Sequence, residues 1–200
     1  MTAERRIGDE AVRDATGRNW EQWFEILDEW DATDREHKEI AAHLREAHDV
    51  AGWWAQTVTV QYERERGMRE VGEASNGYNM GTQKTFLPDV DAAWELIIST
   101  DGLSTWLGDG APTTLKEGEH YELDDGTVGE IRVVTPGSHV RMTWQPVDWE
   151  RASTLQVRAM EAGSGRGTIS FHHEKLPDKE TREAMKRHWK TKLAELQQIV

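Results

Sequence analysis

Cysteine is absent from the 200 residues. Disulfides, thiolate metal sites and cysteine nucleophiles are therefore excluded, and the chain suits a reducing compartment. Long apolar runs are also absent. Nothing approaches the roughly 18 to 20 apolar residues that cross a bilayer, and MTAERRIGDE opens without the apolar stretch of a signal peptide. These features predict a soluble cytoplasmic protein with no membrane partner. Positive charge is scarce: 24 Lys+Arg stand against 37 Asp+Glu, a net charge of -13. Such a chain repels phosphate backbones, which argues against nucleic acid as a partner. Signatures of catalysis are missing too, since there is no G-x-S-x-G and no H-E-x-x-H.

What the chain does have is tryptophan, 10 in all. They divide evenly, with Trp20, Trp23, Trp30, Trp53 and Trp54 before residue 73 and Trp94, Trp106, Trp144, Trp149 and Trp189 after it. Each buries a large area, so a hydrophilic chain can build two compact interiors from few side chains. The first seventy residues carry helix punctuation. Asp9 is placed to cap a short helix stopped by Gly17, and N-W-E-Q at Asn19 resembles a capping box ahead of Trp20, Trp23, Phe24, Leu27 and Trp30 at helical spacing. Thr33 opens a Thr-x-x-Glu box before Ile40, Ala41 and Leu44. Residues 53–62, WWAQTVTVQY, fit both a strand and a helix. No turn residue follows until Gly67 and no partner strand is near, so a helix is expected with Trp54, Val58 and Tyr62 on its core face. Trp53, about 100° around that helix, is the candidate interface residue.

Residues 67–79, GMREVGEASNGYN, have no periodicity and predict a linker. The expected organisation is a tryptophan-rich helical domain at 1–68, a linker at 69–79 and a second domain at 80–200. In the second domain a strand over Thr82–Leu87 precedes a helix capped by Asp89 and a short helix carrying Leu103, Trp106 and Leu107. A hairpin turns at Asp125-Gly126, Pro136-Gly137 leads into HVRMTWQ, and STLQVRAM and GTISFHHE flank a loose turn. Pro177-Asp178 starts a final helix striped with Met185, Trp189, Leu193 and Leu196. The fold class is α+β: an all-α N-terminal domain, then a curved antiparallel sheet around a long C-terminal helix. Alternation points Val140, Met142, Trp144, Leu155, Val157, Ala159, Ile169, Phe171 and His173 inward.

From about Gly81 onward, the Trp94 helix, the Trp106-Leu107 helix, the strand ending Met142-Thr143-Trp144, the Gly167-Thr168 strand and the Trp189 to Leu196 helix resemble the SRPBCC (START-like) superfamily. More narrowly they are similar to bacterial homologues of the activator of the heat-shock protein 90 ATPase. The resemblance implies a helix-grip fold with a hydrophobic cavity between sheet and C-terminal helix, and two kinds of partner, a hydrophobic small molecule or a chaperone-like protein. The segment GRNWEQWFEILDEWDA through GWWAQTVTVQYERERG resembles a small uncharacterised bacterial helical domain.

With that fold, the candidate ligand-binding residues are Trp106, Met142, Trp144, Leu155, Val157, Phe171, His173, Trp189 and Leu193, with His173 as the polar contact. The same residues also fit a filled core, the default for apolar positions at strand and helix periods. His172 and His173 point to opposite faces of a strand and cannot share one ion, so no metal site is expected. His37, His43 and His48 miss the i, i+4 spacing of a helical metal pair. GSGRG at 163–167 joins two strands and lacks the phosphate-loop lysine. No catalytic residue and no cofactor is nominated, which favours a non-enzymatic binding protein. A helix-turn-helix can be drawn through EIAAHLREAHDVAGWWAQTVTVQYER, but residues 1–72 hold 10 Lys+Arg and 17 Asp+Glu, net -7, and the second helix begins with aromatics rather than base-reading groups.

Overall fold

The computed structural model describes residues 7–200, which form two compact units divided between Val71 and Gly72. The first unit is helical: α1 (Asp9–Thr16), α2 (Trp20–Glu29), a 3-10 turn (Ala32–Asp34), α3 (His37–His48) and α4 (Gly52–Glu65). Gly8 rather than Asp9 occupies the cap of α1, and Gly17 ends it at φ 78°. The box at Asn19 is present. Asn19 Oδ1 accepts from the Gln22 N–H at 2.9 Å, and Gln22 Oε1 accepts from the Asn19 N–H at 3.0 Å. The box expected at Thr33 forms instead three residues later, where Glu39 Oε2 accepts from the Glu36 N–H at 2.9 Å. The 3-10 turn uses up Ala32–Asp34, so α3 cannot start until the chain has straightened at Arg35 and Glu36.

Residues 53–62 are helical, as α4, and the buried face includes the expected Val58 and Tyr62, with Trp54 packed against the core at its margin. Ala55, Val58, Thr59 and Tyr62 are inside while Trp54 is half-buried. Small Ala55 and Thr59 let this face pack close, and Thr59 satisfies its hydroxyl by donating to the Ala55 carbonyl at 2.8 Å. The core gathers Trp23, Leu27, Ile40, Leu44, Val58 and Tyr62.

The second unit contains β1 (Glu73–Ala74), β2 (Gly77–Leu87), α5 (Val90–Ile98), α6 (Thr100–Trp106), β3 (His120–Glu122), β4 (Val128–Thr135), β5 (His139–Trp144), β6 (Ser153–Glu161), β7 (Gly167–Leu176) and α7 (Lys179–Gln198). One antiparallel sheet runs β1-β2-β7-β6-β5-β4-β3, so the first long strand pairs with the last. The segment expected as a linker contributes a hairpin here. Its glycines serve as turn and close-approach residues: Gly77 has φ 121°, and a Cβ on Gly72 would lie 2.1 Å from Arg182 Nε. Arg182, only 5% exposed on the first turns of α7, donates from Nε to the Asn79 carbonyl at 3.0 Å and fastens the hairpin to that helix.

The helices begin where short polar side chains close their first turns. Asp89 accepts from the Ala92 N–H at 2.8 Å and Asp178 from the Thr181 N–H at 2.7 Å. Ser99 caps α6 by accepting from the Gly102 N–H at 3.0 Å. Long α7 lays Trp189, Leu193 and Leu196 against the inward face of the sheet, with Met185 half-buried. All nine positions expected to face inward are buried.

Candidate functional site

Cross-strand register builds the interior in layers. Val140, Val157 and Phe171 stand side by side across β5, β6 and β7, followed by Met142, Leu155 and His173, and Trp144 lies opposite Ser153. Above them Trp189 of α7 stacks on Phe171, ring centroids 4.7 Å apart at 13°. Trp106 meets Phe171 at 5.9 Å, and Trp144 meets Trp189 edge-on at 5.4 Å. All nine sequence-nominated residues are brought together: Trp106, Met142, Trp144, Leu155, Val157, Phe171, His173, Trp189 and Leu193 are each 5% exposed or less. The hollows described on the surface are lined by other residues.

A polar chain crosses this apolar interior. The Trp189 indole N–H, which can only donate, reaches His173 Nδ1 at 3.1 Å, so that nitrogen must be an acceptor. The proton is therefore on Nε2, which donates to Ser153 Oγ at 2.7 Å, and Ser153 donates onward to the Trp144 carbonyl at 2.7 Å. Every atom of the imidazole is satisfied in its neutral form. Burial drives the His173 pKa down to about 3, with the charges of His188 and His172 adding to the effect.

Two polar atoms beside this chain have no partner. Trp144 Nε1 and His188 Nε2 are buried without a hydrogen bond, and the two rings lie 6.4 Å apart. Burial also lowers the His188 pKa; Lys192 acts in the same direction, Glu195 and Asp125 against it. Trp149, half-buried in the β5–β6 loop, stacks at 6.2 Å on His173. Its other surroundings form a hollow of about 520 Å³ with Asn76, Arg151, Leu176 and Pro177 among the lining residues. The outward face differs in character. His172 approaches Glu174 at 3.3 Å, and Arg141 donates to Glu174 at 2.8 Å. Among the described residues no group of three or more His, Cys, Asp or Glu side chains is arranged to hold a metal ion.

Three participants escaped the reading of the sequence. Ser153 was legible by strand parity, two positions before the inward Leu155. His188 lies three residues after Met185, at the edge of the helical stripe. Trp149 sits in the irregular stretch PVDWE, where no period assigns a direction.

Residues 89–200 match the family model described as activator of Hsp90 ATPase homolog 1-like protein. The chain belongs to this family. Residues 10–64 match a second model, DUF4287, a domain of unknown function. Among solved structures, the fold of this family member is similar to CalU16 from Micromonospora echinospora, with 17% identity, 60% of this chain and 73% of that chain covered, and a TM-score of 0.53. It is also similar to DynU16, a protein of the dynemicin biosynthetic locus, with 14% identity, 60% and 46% covered, and a TM-score of 0.51. The chain thus spans under half the length of DynU16. The Aha1 dimer from Colwellia psychrerythraea shares 13% identity over 60% of this chain and 92% of that one, with a TM-score of 0.50. These likenesses show a helix-grip fold. No curated protein matches the chain. Among the described residues no helix is long and apolar enough to cross a membrane.

Proposed function

We propose that the sheet unit of this activator-homologue family member is a non-enzymatic binding module that holds a hydrophobic small molecule between the sheet and α7. The observation that carries this reading is the pair of unpartnered polar atoms, Trp144 Nε1 and His188 Nε2, on the margin of an aromatic interior. A buried donor without an acceptor loses about 1 to 3 kcal/mol relative to its hydrated state, so such atoms suit a ligand whose apolar body carries an oxygen or nitrogen. His173 cannot serve as the polar contact expected from the sequence, because Trp189 and Ser153 already occupy both of its nitrogens. Trp149 is the entry: it is half-buried, belongs to a loop, and separates the outer hollow from His173. The absence of cysteine is compatible with a reducing cytoplasm.

Mass spectrometry of molecules carried through native purification tests this. A stoichiometric hydrophobe, bound at least about tenfold more weakly by Trp144→Phe through loss of one buried hydrogen bond, supports it. An empty protein that takes up no hydrophobic dye, even when Trp149→Ala opens the entry, overturns it.

A second reading has its own observation. Trp53 is 64% exposed on α4, beside a shallow hollow lined with Gln56, Thr57, Val60 and Gln61. An exposed tryptophan of this kind suits a protein partner, by analogy with the chaperone activators from which the family takes its description. Loss of capture of a heat-shock protein 90 by Trp53→Ala supports that reading, and capture unaffected by the substitution removes it.

A further inference from the structure

The helical unit carries a continuous run of cationic, protonatable and aromatic side chains. Arg18 Cζ lies 4.8 Å from the Trp23 ring, and Trp23 meets His48 edge-on at 5.6 Å. His48 meets His43 edge-on at 5.0 Å, and His43 stacks flat on Trp30 at 3.8 Å and 4°. Arg35 Cζ completes the run 4.9 Å from the Trp30 ring. The tryptophans hold the arginines in place by cation-π attraction, which engages the guanidinium face and leaves its N–H edges free.

The charge around this run is unusual for its setting. Residues 1–72 have 17 Asp+Glu for 10 Lys+Arg, and other arginines of the unit have found acids: Arg66 pairs with Asp28 and Arg69 with Glu63. Arg18 and Arg35 have no carboxylate partner among the described residues. The charges that reach His43 are those of His48 on α3 and Arg35 in the preceding turn, and the charge that reaches His48 is Arg18 between α1 and α2. The two arginines are cationic, and His48 becomes so on protonation. Both imidazoles are held below the ordinary histidine range, first by burial and then by these neighbours.

We propose that this run is a binding site for a small multivalent oxyanion, a ligand bearing two or more phosphate or carboxylate groups. The guanidinium edges offer the forked geometry that oxyanions favour, and the imidazoles lie between the arginines along the run. A long polyanion such as duplex nucleic acid meets the repulsion of the whole acidic unit, whereas a small ligand feels mainly charges within roughly one Debye length, about 8 Å. The seated anion stabilises protonated imidazole and raises the pKa of both rings. The bound state then holds more protons than the free state, so affinity rises as pH falls through and below the ordinary histidine value.

Titration of the full chain with tripolyphosphate and with citrate, followed by tryptophan fluorescence at pH 8 and pH 6, tests the proposal and separates phosphate from carboxylate. Saturable binding of either anion is expected, tightening by about tenfold or more over that interval as protons are taken up. Arg18→Gln and Arg35→Gln, each confirmed as folded by circular dichroism, weaken binding about tenfold through loss of a charge-assisted contact. The double variant His43→Gln, His48→Gln loses the pH dependence of binding. In the unmodified chain, the ring-proton titrations of His43 and His48 move to higher pH on saturation. The proposal is overturned if neither anion binds at pH 6, if binding survives both arginine substitutions, or if the two histidine titrations stay where they were.

Discussion

At the scale of single residues, His173 and Gly129 make opposite demands on their surroundings. His173 must remain neutral. Below pH 6.5 the unfolded chain takes up a proton that the folded chain refuses until about pH 3. Its contribution to stability is complete above pH 6.5 and is lost as pH falls toward 3, by at most about 1.4 kcal/mol per unit. Urea unfolding at pH 7.5, 6 and 5 will show stability falling with pH, and His173→Asn will make that slope shallower. Gly129 must remain without a side chain. A Cβ there would lie 2.2 Å from the Thr143 carbonyl oxygen and 2.4 Å from Tyr121 Oη, and the Tyr121 hydroxyl donates to that same carbonyl at 2.6 Å. Gly129→Ala will destabilise by about 3 kcal/mol through overpacking, read as a lowered midpoint of thermal unfolding. The inward residues were legible because strand alternation fixes direction, whatever the distant partners. Which polar atoms end up satisfied was not legible, because that depends on Trp189 and His173 arriving together from separate elements.

Elements behave similarly: what is closed locally can be read locally. The caps at Asn19, Asp89 and Asp178 involve partners three residues away, and all three stand where the sequence put them. Asn19→Ala will cost about 1 kcal/mol of helix stability, measurable by chemical denaturation of the full chain. The hairpin of β1 and β2 is the opposite case. Its anchor, Arg182, is 103 residues away from Asn79 in the chain, and the glycine-rich stretch itself carries only turn signals. Arg182→Ala removes a buried charged donor and will destabilise by about 2 kcal/mol. Hydrogen exchange will show protection lost first in residues 73–80. The box at Thr33 misled for a related reason, since the 3-10 turn that displaces it is set by how the chain leaves α2.

For the molecule as a whole, charge and connectivity matter more than any one contact. Residues 1–72 carry a net -7 of the total -13, so both units repel themselves. Raising sodium chloride from 10 to 200 mM will therefore raise the midpoint of thermal unfolding, because added salt screens that repulsion. Connectivity was the less legible part, since the sequence names strands without naming neighbours. The pairing of β2 with β7 places Met80 opposite His173. During synthesis the helical unit is complete once residue 71 has left the ribosome, and it can fold while the rest is still being made. The sheet has no such freedom. Its first long strand waits with an open edge until β7 emerges, so the nascent sheet unit carries an unpaired, aggregation-prone edge for most of its synthesis.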